Sequence, residues 1–405
     1  MLGYGVERIK NLFVFLWLLF LPTQLGLHFW PEWSHVMGLR IDYLSPILYF
    51  VDLIWVVMVT NLGFKNVKNV FNFKNVLILL FVLVNVIGAG NRWEAAYKWV
   101  RIWQWFLTFN IILQNKKIFK EMLLKVLPVW IIGEGLLSVA QVINGGSLNG
   151  IFYWLGERRF SYASLGVAQI SYMGQGMIRA YGTFSHPNSL AGFVLVSLVL
   201  FCKRRDKNII YWIVVFCGLM TLLLSGSRTV WGITIALIIF NLKFLIFNQF
   251  KIYNLKKIVG ILLIFGGVVV LLFSLINFNY RITDFVGGWD SEGLAKRGGL
   301  IIASLKMIKD HPLFGVGAGN FLDELPGYQR NSGVFWLQPV HNIVFLIISE
   351  VGILGIFLLY LLLIKIKVKR NLIVLGIILI TGMVDHYWIT LPQNSWLMCV
   401  VLGLL

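Results

Sequence analysis

The sequence contains few charged residues and long stretches without any. Of its 405 residues, 13% are charged and 59% are hydrophobic, and the mean hydropathy is +0.81. This composition excludes an ordinary soluble protein, in which about a quarter of the residues are charged. Apolar runs of about 20 residues recur, and each can cross a hydrocarbon core of about 30 Å. Because these runs do not alternate with polar residues, they exclude a membrane β-barrel and predict an all-α polytopic membrane protein.

Cysteine is scarce, and signatures of nucleotide binding are missing. Cys202, Cys217 and Cys399 all fall in apolar runs, so they indicate neither a disulfide framework nor a metal site. There is no Walker motif and no paired acidic motif for a metal-held sugar nucleotide, and the glycine run 315–319 follows no strand. We therefore predict that no metal and no other cofactor is used, and that residues 1–405 form a single integral-membrane domain.

Basic residues outnumber acidic ones by 35 to 17, giving a net charge of +18. They lie in short clusters between the apolar runs, which is typical of cytoplasmic loops and argues against nucleic-acid binding. The pattern predicts about twelve spans with both termini in the cytoplasm. The predicted spans are 11–27, 41–62, 76–90, 96–114, 122–143, 188–202, 209–225, 229–249, 258–277, 341–364, 372–388 and 393–405.

Two long segments then fall outside the cell, residues 145–187 and residues 278–340. In the larger one, a helical pattern opens at Arg297 and ends at Asp310-His311-Pro312, since proline cannot continue a helix. We interpret 278–340 as an extracytoplasmic active-site loop that docks on the membrane bundle.

His341 stands where this loop returns to an apolar run. If the next helix starts at Asn342, the positive end of its dipole disfavours an imidazolium at His341. A neutral imidazole at the outer interface is available as a general base. The alternative interpretation is that His341 only caps the helix.

Arg228 and Arg297 are the candidate anion ligands. Arg228 lies in a very short outer turn between two apolar runs, where its planar fork can bind a phosphate or carboxylate. The alternative is that it reaches lipid headgroups. Arg297 opens the helical pattern of the large loop, and the alternative there is an ordinary solvated charge.

Several polar residues are candidates for supporting roles. Arg179 precedes the sixth predicted span, and Asn188 or Ser189 is expected to cap that helix. His186 is a second candidate base. Asn342, directly after His341, completes this set.

Three further residues follow His341 in the same predicted span. Gly352 and Gly355 lie three to four turns on, and small residues at such spacing allow another helix to approach closely. We expect Glu350 to pair with a buried basic or polar group.

The motif His341-Asn342, nine residues, Gly352, two residues, Gly355 resembles the signature of the O-antigen ligase and O-antigen polymerase family. That family also includes bacterial O-linked oligosaccharyltransferases. Three other elements are similar to it: the run Thr183–Asn188, the turn Ser227-Arg228, and Arg297 with the motif Asp310–Gly317. Their order and spacing match the family across about residues 180–360.

The resemblance implies an integral-membrane glycosyltransferase of GT-C-like helical architecture in the bacterial cytoplasmic (inner) membrane. Such an enzyme takes a glycan from an undecaprenyl-diphosphate carrier and transfers it, with inversion, to the hydroxyl of a glycan or glycolipid acceptor at the outer face. It needs no metal, nucleotide or nucleic acid, and membrane lipids surround it. On this resemblance, Arg228 and Arg297 hold the diphosphate and His341 activates the acceptor.

The acceptor stays open, because ligases and polymerases share these motifs; lipopolysaccharide is one acceptor among several. A flippase or transporter of lipid-linked glycans and a non-enzymatic assembly scaffold are the alternatives from other classes. A flippase should line its path with charge through the membrane. Here the informative charges lie on the predicted outer side, which favours an enzyme.

Overall fold

The computed structural model describes residues 2–63, 73–164, 166–172, 175–204, 206, 208–247, 291–329, 336–363 and 372–404. This part of the chain is mostly helical. Its helices are α1 (Leu2–Leu19), α2 (Phe50–Leu62), α3 (Phe73–Ile87), α4 (Arg92–Gln114), α5 (Lys116–Asn144), α6 (Ile151–Trp154), α7 (Pro187–Phe201), α8 (Ile209–Leu224), α9 (Arg228–Phe247), α10 (Ser291–Asp310), α11 (Phe321–Tyr328), α12 (Ile343–Leu363), α13 (Leu372–Gly382), α14 (Tyr387–Thr390) and α15 (Pro392–Leu404).

Helices occur at eleven of the twelve predicted spans, and the span at 258–277 lies outside the described residues. Two of them, α5 and α12, are long and apolar enough to cross a membrane, by length and composition. Six shorter apolar helices accompany them. The twelve-span topology therefore stays a prediction, as does the division into two long outer segments, of which residues 278–290 are not described.

Several predicted spans begin or end elsewhere than expected; the span 11–27, for example, is matched by α1, which ends at Leu19. The span 41–62 is helical only from Phe50, because Pro46 disfavours the helical conformation at the residue before it. The span 372–388 ends as a helix at Gly382, and α14 starts separately at Tyr387. Residues 383–386 thus form a connection outside both helices.

Short antiparallel strand pairs, which were not predicted, occur in the loops of this mostly helical structure. The pairs are β1 (Gly26–His28) with β4 (Ile47–Tyr49), β2 (His35–Val36) with β3 (Leu39–Arg40), and β5 (Gln169–Tyr172) with β6 (Gln175–Ile178). Between β2 and β3, Met37 and Gly38 both have positive φ, at 52° and 78°. Two such residues form the tight turn whose twist matches that of a hairpin.

The main core lies where α1, α5, α7, α8, α13 and α15 meet. Trp17 is fully buried at its centre, with its ring edge-on to Phe119 at 6.2 Å and to Trp396 at 5.4 Å between centroids. Edge-to-face pairs at these distances are favourable beyond the area that they bury. The core therefore fixes the short helix α15 against the first half of the chain.

Helix α12 is broken at Gly352, whose φ is 65° and ψ is −174°. The loop after α10 fills the break: Val316 N–H donates to Ser349 O at 2.8 Å, and Ile353 N–H donates to Pro312 O at 2.9 Å. A Cβ atom on Gly352 would collide with the carbonyl oxygen of Leu313. The predicted close approach at Gly352 is therefore made by a loop backbone and not by another helix.

Candidate active site

Asp385 is the centre of a polar cluster that is formed by residues at the start of α7, before α12 and before α14. It lies in the connection between α13 and α14 and is 7% exposed. Asn188 Nδ2 donates to its Oδ2 at 2.9 Å, and His341 Nδ1 lies 3.5 Å from its Oδ1. The backbone N–H of His386 donates to Oδ1 at 2.8 Å. One carboxylate thus joins three separate segments of the chain.

Three histidines give Asp385 its electrostatic environment. Burial by itself raises the pKa of a carboxyl group, but contact with His341 and the charges of His386 and His186 hold the pKa of Asp385 below its usual range. Asp385 is therefore an anion that can orient and stabilise an imidazolium beside it.

His341 precedes α12, and Asn342 caps the helix. Asn342 Oδ1 accepts from the backbone N–H of Val344 at 2.9 Å and of Phe345 at 3.1 Å. Its Nδ2 donates to Met383 O at 3.0 Å, which ties the start of α12 to the end of α13. The interpretation of His341 as a simple cap is therefore wrong, because its neighbour has that role. The side chain of His341 is 20% exposed and does not cap the helix.

His386 lies beside His341, with 5.2 Å between the ring centroids. Its Nδ1 pairs with Thr390 Oγ1 at 2.7 Å, and Tyr43 packs edge-on against its ring at 5.5 Å. Burial lowers the pKa of His386 to about 4. The imidazole of His386 is thus uncharged near neutral pH and borders the cluster on one side.

His186 caps α7, so the prediction that Asn188 or Ser189 caps this helix is wrong. The helix starts one residue earlier than expected because Pro187 occupies its first position, where a missing N–H costs nothing. His186 Nδ1 accepts from the backbone N–H of Asn188 at 3.2 Å. A neutral imidazole that accepts at Nδ1 carries its proton on Nε2. Burial also lowers the pKa of His186 to about 4, so this geometry gives it no free lone pair with which to act as a base.

Arg179 connects the turn between α8 and α9 to the Asp385 cluster. Its Nε donates to Ser225 O and its Nη2 donates to Asn188 Oδ1, both at 2.6 Å. Asn188 in turn donates to Asp385. The supporting residues Arg179 and Asn188 therefore form one hydrogen-bonded chain that ends at the partner of His341.

Arg228 is the first residue of α9, three residues after Ser225, and its side chain is exposed. The turn needs Gly226, whose φ is 61° and whose missing Cβ leaves room for Arg179. Arg228 is thus attached, through its own turn, to the hydrogen-bonded chain that leads to His341.

Arg297 lies in the second turn of α10 rather than at its start, because the helix begins at Ser291. Helix α10 runs parallel to α12: Ser304 Oγ meets Ser349 Oγ at 2.8 Å, and further along both chains Pro312 O accepts from Ile353. Arg297 is seven residues before Ser304, or about 10.5 Å, and His341 is eight before Ser349, or about 12 Å. The exposed Arg297 and His341 therefore lie at the same end of the helix pair.

Glu350 was expected to pair with a buried basic or polar group. The backbone N–H groups of Gly319 and Phe321 and the positive charge of Lys98 lie near its carboxyl group. The polar groups beside Glu350 are thus supplied mainly by the backbone of the loop after α10.

Asp385 and His386 are the functional candidates that the sequence analysis missed. Both fell inside a predicted apolar span, where an acidic residue is costly and usually functional. The acidic side chain of Asp385 inside an apolar span is therefore a sequence signal that points to this residue.

One part of the cluster has the geometry of a metal site. His341, Asp385 and His386 each offer a ligand atom, and these atoms lie within 4.8 Å of one another. Two of the separations, 3.5 Å and 3.9 Å, are close to the ligand spacing of about 3.3 Å around a tetrahedral zinc ion. The three residues could hold a transition metal, but the same geometry also suits a hydrogen-bonded acid–base cluster.

No curated protein matches the sequence. Residues 212–360 match the family model described as O-antigen ligase. The resemblance drawn from the motif around His341 is confirmed over this range. Residues 212–360, which carry Arg228, Arg297 and His341, are therefore the part of the chain that is similar to the O-antigen ligase family.

Proposed function

We propose that this protein transfers a glycan from an undecaprenyl-diphosphate carrier to the hydroxyl of a glycan or glycolipid acceptor at the outer face of the cytoplasmic membrane. The observation that carries the proposal is the pairing of His341, which lies in the range that matches the ligase family model, with Asp385, which lies beyond that range. A histidine whose Nδ1 faces a carboxylate keeps its Nε2 for a substrate proton, as in other histidine–carboxylate pairs.

The reaction is a direct displacement. His341 Nε2 takes the proton of the acceptor hydroxyl while the oxygen attacks the anomeric carbon, and the bond from that carbon to the diphosphate breaks. Attack from the opposite side inverts the anomeric centre. Asp385 orients the ring of His341 and stabilises the imidazolium that forms.

Arg228 and Arg297 bind the diphosphate in this scheme. The leaving group gains negative charge as its bond to carbon breaks, and guanidinium groups aimed at it stabilise that charge. Both side chains are exposed, so a ligand can reach them. No metal or nucleotide takes part, and we expect chelation by EDTA to leave transfer unchanged.

Topology belongs to the same proposal. Both termini lie in the cytoplasm, and the segments 145–187 and 278–340 lie outside, in a multi-pass protein of about twelve spans. Reporter fusions at Gly145 and Gly327 should both read extracytoplasmic. A cytoplasmic signal at either position would separate the arginines from His341 and contradict the site.

A polymerase of the same family is the second candidate, because it needs the same clamp and the same base. The acceptor of a polymerase is itself a lipid-linked glycan. A flippase or transporter is less well supported, because the polar cluster centres on one end of the helices and includes a carboxylate–histidine pair that transport does not require.

The test is transfer by purified protein in lipid vesicles. Undecaprenyl-diphosphate-linked glycan is supplied with lipid A–core, a second lipid-linked glycan or a peptide, and products are identified by mass. We expect release of undecaprenyl diphosphate together with one elongated acceptor, and no reaction for His341→Ala. His35→Gln is a control histidine variant outside the site. Movement of intact donor across the membrane without transfer would establish the flippase instead.

A further inference from the structure

A cavity of about 700 Å³ adjoins the Asp385 cluster and is not used by the proposed chemistry. It is enclosed by the loop that carries β1–β4, the first turns of α4, the loop after α6, the start of α7 and the start of α15. It reaches the cluster at His186, at Tyr43, which packs on His386, and at Thr390, which pairs with His386. A molecule in the cavity would therefore end beside the histidines.

Aromatic rings form much of the wall. They are Trp30, Tyr43, Tyr49, Tyr97, Trp105, Tyr153 and Tyr181. The C–H face of a sugar ring is apolar and stacks on such side chains, whose polar ends supply hydrogen bonds. A wall of this kind fits a carbohydrate better than a lipid chain, because a lipid chain cannot form hydrogen bonds with the hydroxyl and N–H groups of the tyrosine and tryptophan side chains.

Three buried polar atoms in the lining have no hydrogen-bond partner within the described part of the chain. They are Gln24 Nε2, Glu94 Oε2 and Trp105 Nε1. Glu94 is 1% exposed, so its free oxygen is deeply placed. Buried polar atoms are nearly always paired, and unpaired ones in a cavity indicate a missing ligand. Two donors and one acceptor match the hydroxyl groups of a sugar.

Three of the charged side chains in the wall, those of Arg101, Arg159 and Glu157, already have partners within the protein. Arg101 binds Asp52 at 2.8 Å, and Arg159 lies over the ring of Tyr153 at 4.7 Å. The carboxylate of Glu157 accepts from Gln141 and from the backbone N–H groups of Leu148 and Asn149.

We propose that this cavity binds a sugar of the acceptor and presents its hydroxyl to His341. The inference rests on the proposed function. The acceptor is favoured over the glycan of the donor because Arg228 and Arg297 are not among the lining residues, whereas His186 and Tyr43, beside the catalytic cluster, are.

The kinetic test uses two variants that each remove one unpaired donor: Gln24→Met, which nearly keeps the volume, and Trp105→Phe, which keeps an aromatic ring. Each should raise the KM for acceptor by about three- to tenfold, the effect of one lost hydrogen bond, and leave the KM for donor unchanged. Trp93→Phe is the matched control, because Trp93 is 72% exposed and lies outside the cavity. A rise in the donor KM with an unchanged acceptor KM would assign the cavity to the donor glycan and overturn the proposal.

A binding test separates this proposal from the reaction itself. Saturation-transfer NMR from the aromatic protons of the full-length His341→Ala protein is measured with methyl glycosides of neutral hexoses and N-acetylhexosamines. Signal from at least one glycoside, weakened by Trp105→Phe and Gln24→Met but not by Trp93→Phe, supports a sugar site even if transfer is never observed. Absence of signal, or equal signal in all variants, would overturn the cavity proposal and leave the transfer reaction untouched.

Discussion

Asp385 Oδ1 lies 3.5 Å from His341 Nδ1, although the two residues are 44 positions apart and lie in different connections, before α12 and between α13 and α14. The contact is held from both sides. Asn342 ties the start of α12 to Met383, and Asn188 holds the other oxygen of Asp385. The relative position of the imidazole and the carboxylate is therefore fixed by hydrogen bonds that tie both connections to the neighbouring helices.

Replacing Asp385 by Asn tests this relationship. The amide keeps the volume but cannot stabilise an imidazolium, and it can hold the wrong tautomer of His341. We expect the rate of transfer to fall by about 10²- to 10⁴-fold while binding of the lipid-linked donor is retained. Single-turnover rates and donor binding should be measured on the same preparation. An Asn variant with the wild-type rate would remove Asp385 from the mechanism.

The second prediction separates His341 from its neighbour. His341→Ala and His341→Gln should both lower the transfer rate by about 10²- to 10⁴-fold, because neither restores a proton acceptor. Asn342→Ala should instead lower the free energy of unfolding by about 1 kcal/mol through loss of the cap. Rates and thermal unfolding measured on all three variants distinguish the roles. Recovery of activity by Gln would contradict a general base.

The arginine pair gives the third prediction. Arg228→Ala and Arg297→Ala should each raise the KM for donor and slow transfer severely, and Lys should rescue only part because it lacks the bidentate fork. Arg92→Ala is the control, since Arg92 is an exposed arginine at the start of α4. Kinetics at several donor concentrations provide the measurement. Normal turnover by both Ala variants would refute the clamp.

Gly352 provides a prediction on stability. Gly352→Ala places a Cβ at a φ of 65° and against the carbonyl of Leu313, so we expect a loss of at least about 1–2 kcal/mol in the free energy of unfolding. Gly133→Ala, in α5, meets nothing within 4 Å and should be neutral or slightly stabilising. Thermal unfolding in detergent compares the two. Equal stability would mean that the break in α12 does not require glycine.

The last prediction concerns pH. Because burial lowers the pKa of His386 to about 4 from 6.5, the unfolded chain binds more protons than the folded protein between these values. Stability should therefore fall as pH decreases from 6.5 to 4, by roughly 3 kcal/mol at most from this group. Asp385 adds no slope in that window, since its pKa is below the usual range. Burial also lowers the pKa of His186 to about 4, so His186 contributes a slope of the same sign in this window. His386→Gln should therefore reduce the slope without abolishing it, and an unchanged profile would show that His386 does not contribute.

The sequence predicted most helices because apolar runs of sufficient length report burial directly. It also identified the motif at His341 and the end of α10 at Asp310. It could not predict the site's assembly, because the contacts between residues 188, 341 and 385 are long-range and leave no local pattern. Asp385 did carry a local signal, because it is an acidic residue inside a predicted apolar span, but that signal does not identify its partners.

Proline and backbone geometry explain the remaining differences. Pro187 begins α7 one residue early and gives the capping role to His186, and Pro46 shortens the second predicted span. Gly352 was interpreted as a small residue for helix packing, since spacing alone does not reveal a positive φ.

Because α12 is broken at Gly352, His341 precedes a short helical segment that is separate from the rest of α12. Residues 343–351 are anchored to the loop 312–317 by backbone hydrogen bonds, and the remainder of the helix starts again from Pro312 and Leu313. One residue added to a continuous helix turns everything beyond it by about 100°. Here, a residue inserted after Gly352 would rotate only the part of α12 beyond the break, because the segment before Gly352 is held by its own hydrogen bonds. The part of α12 after Gly352 can therefore vary in length without turning the segment that carries His341.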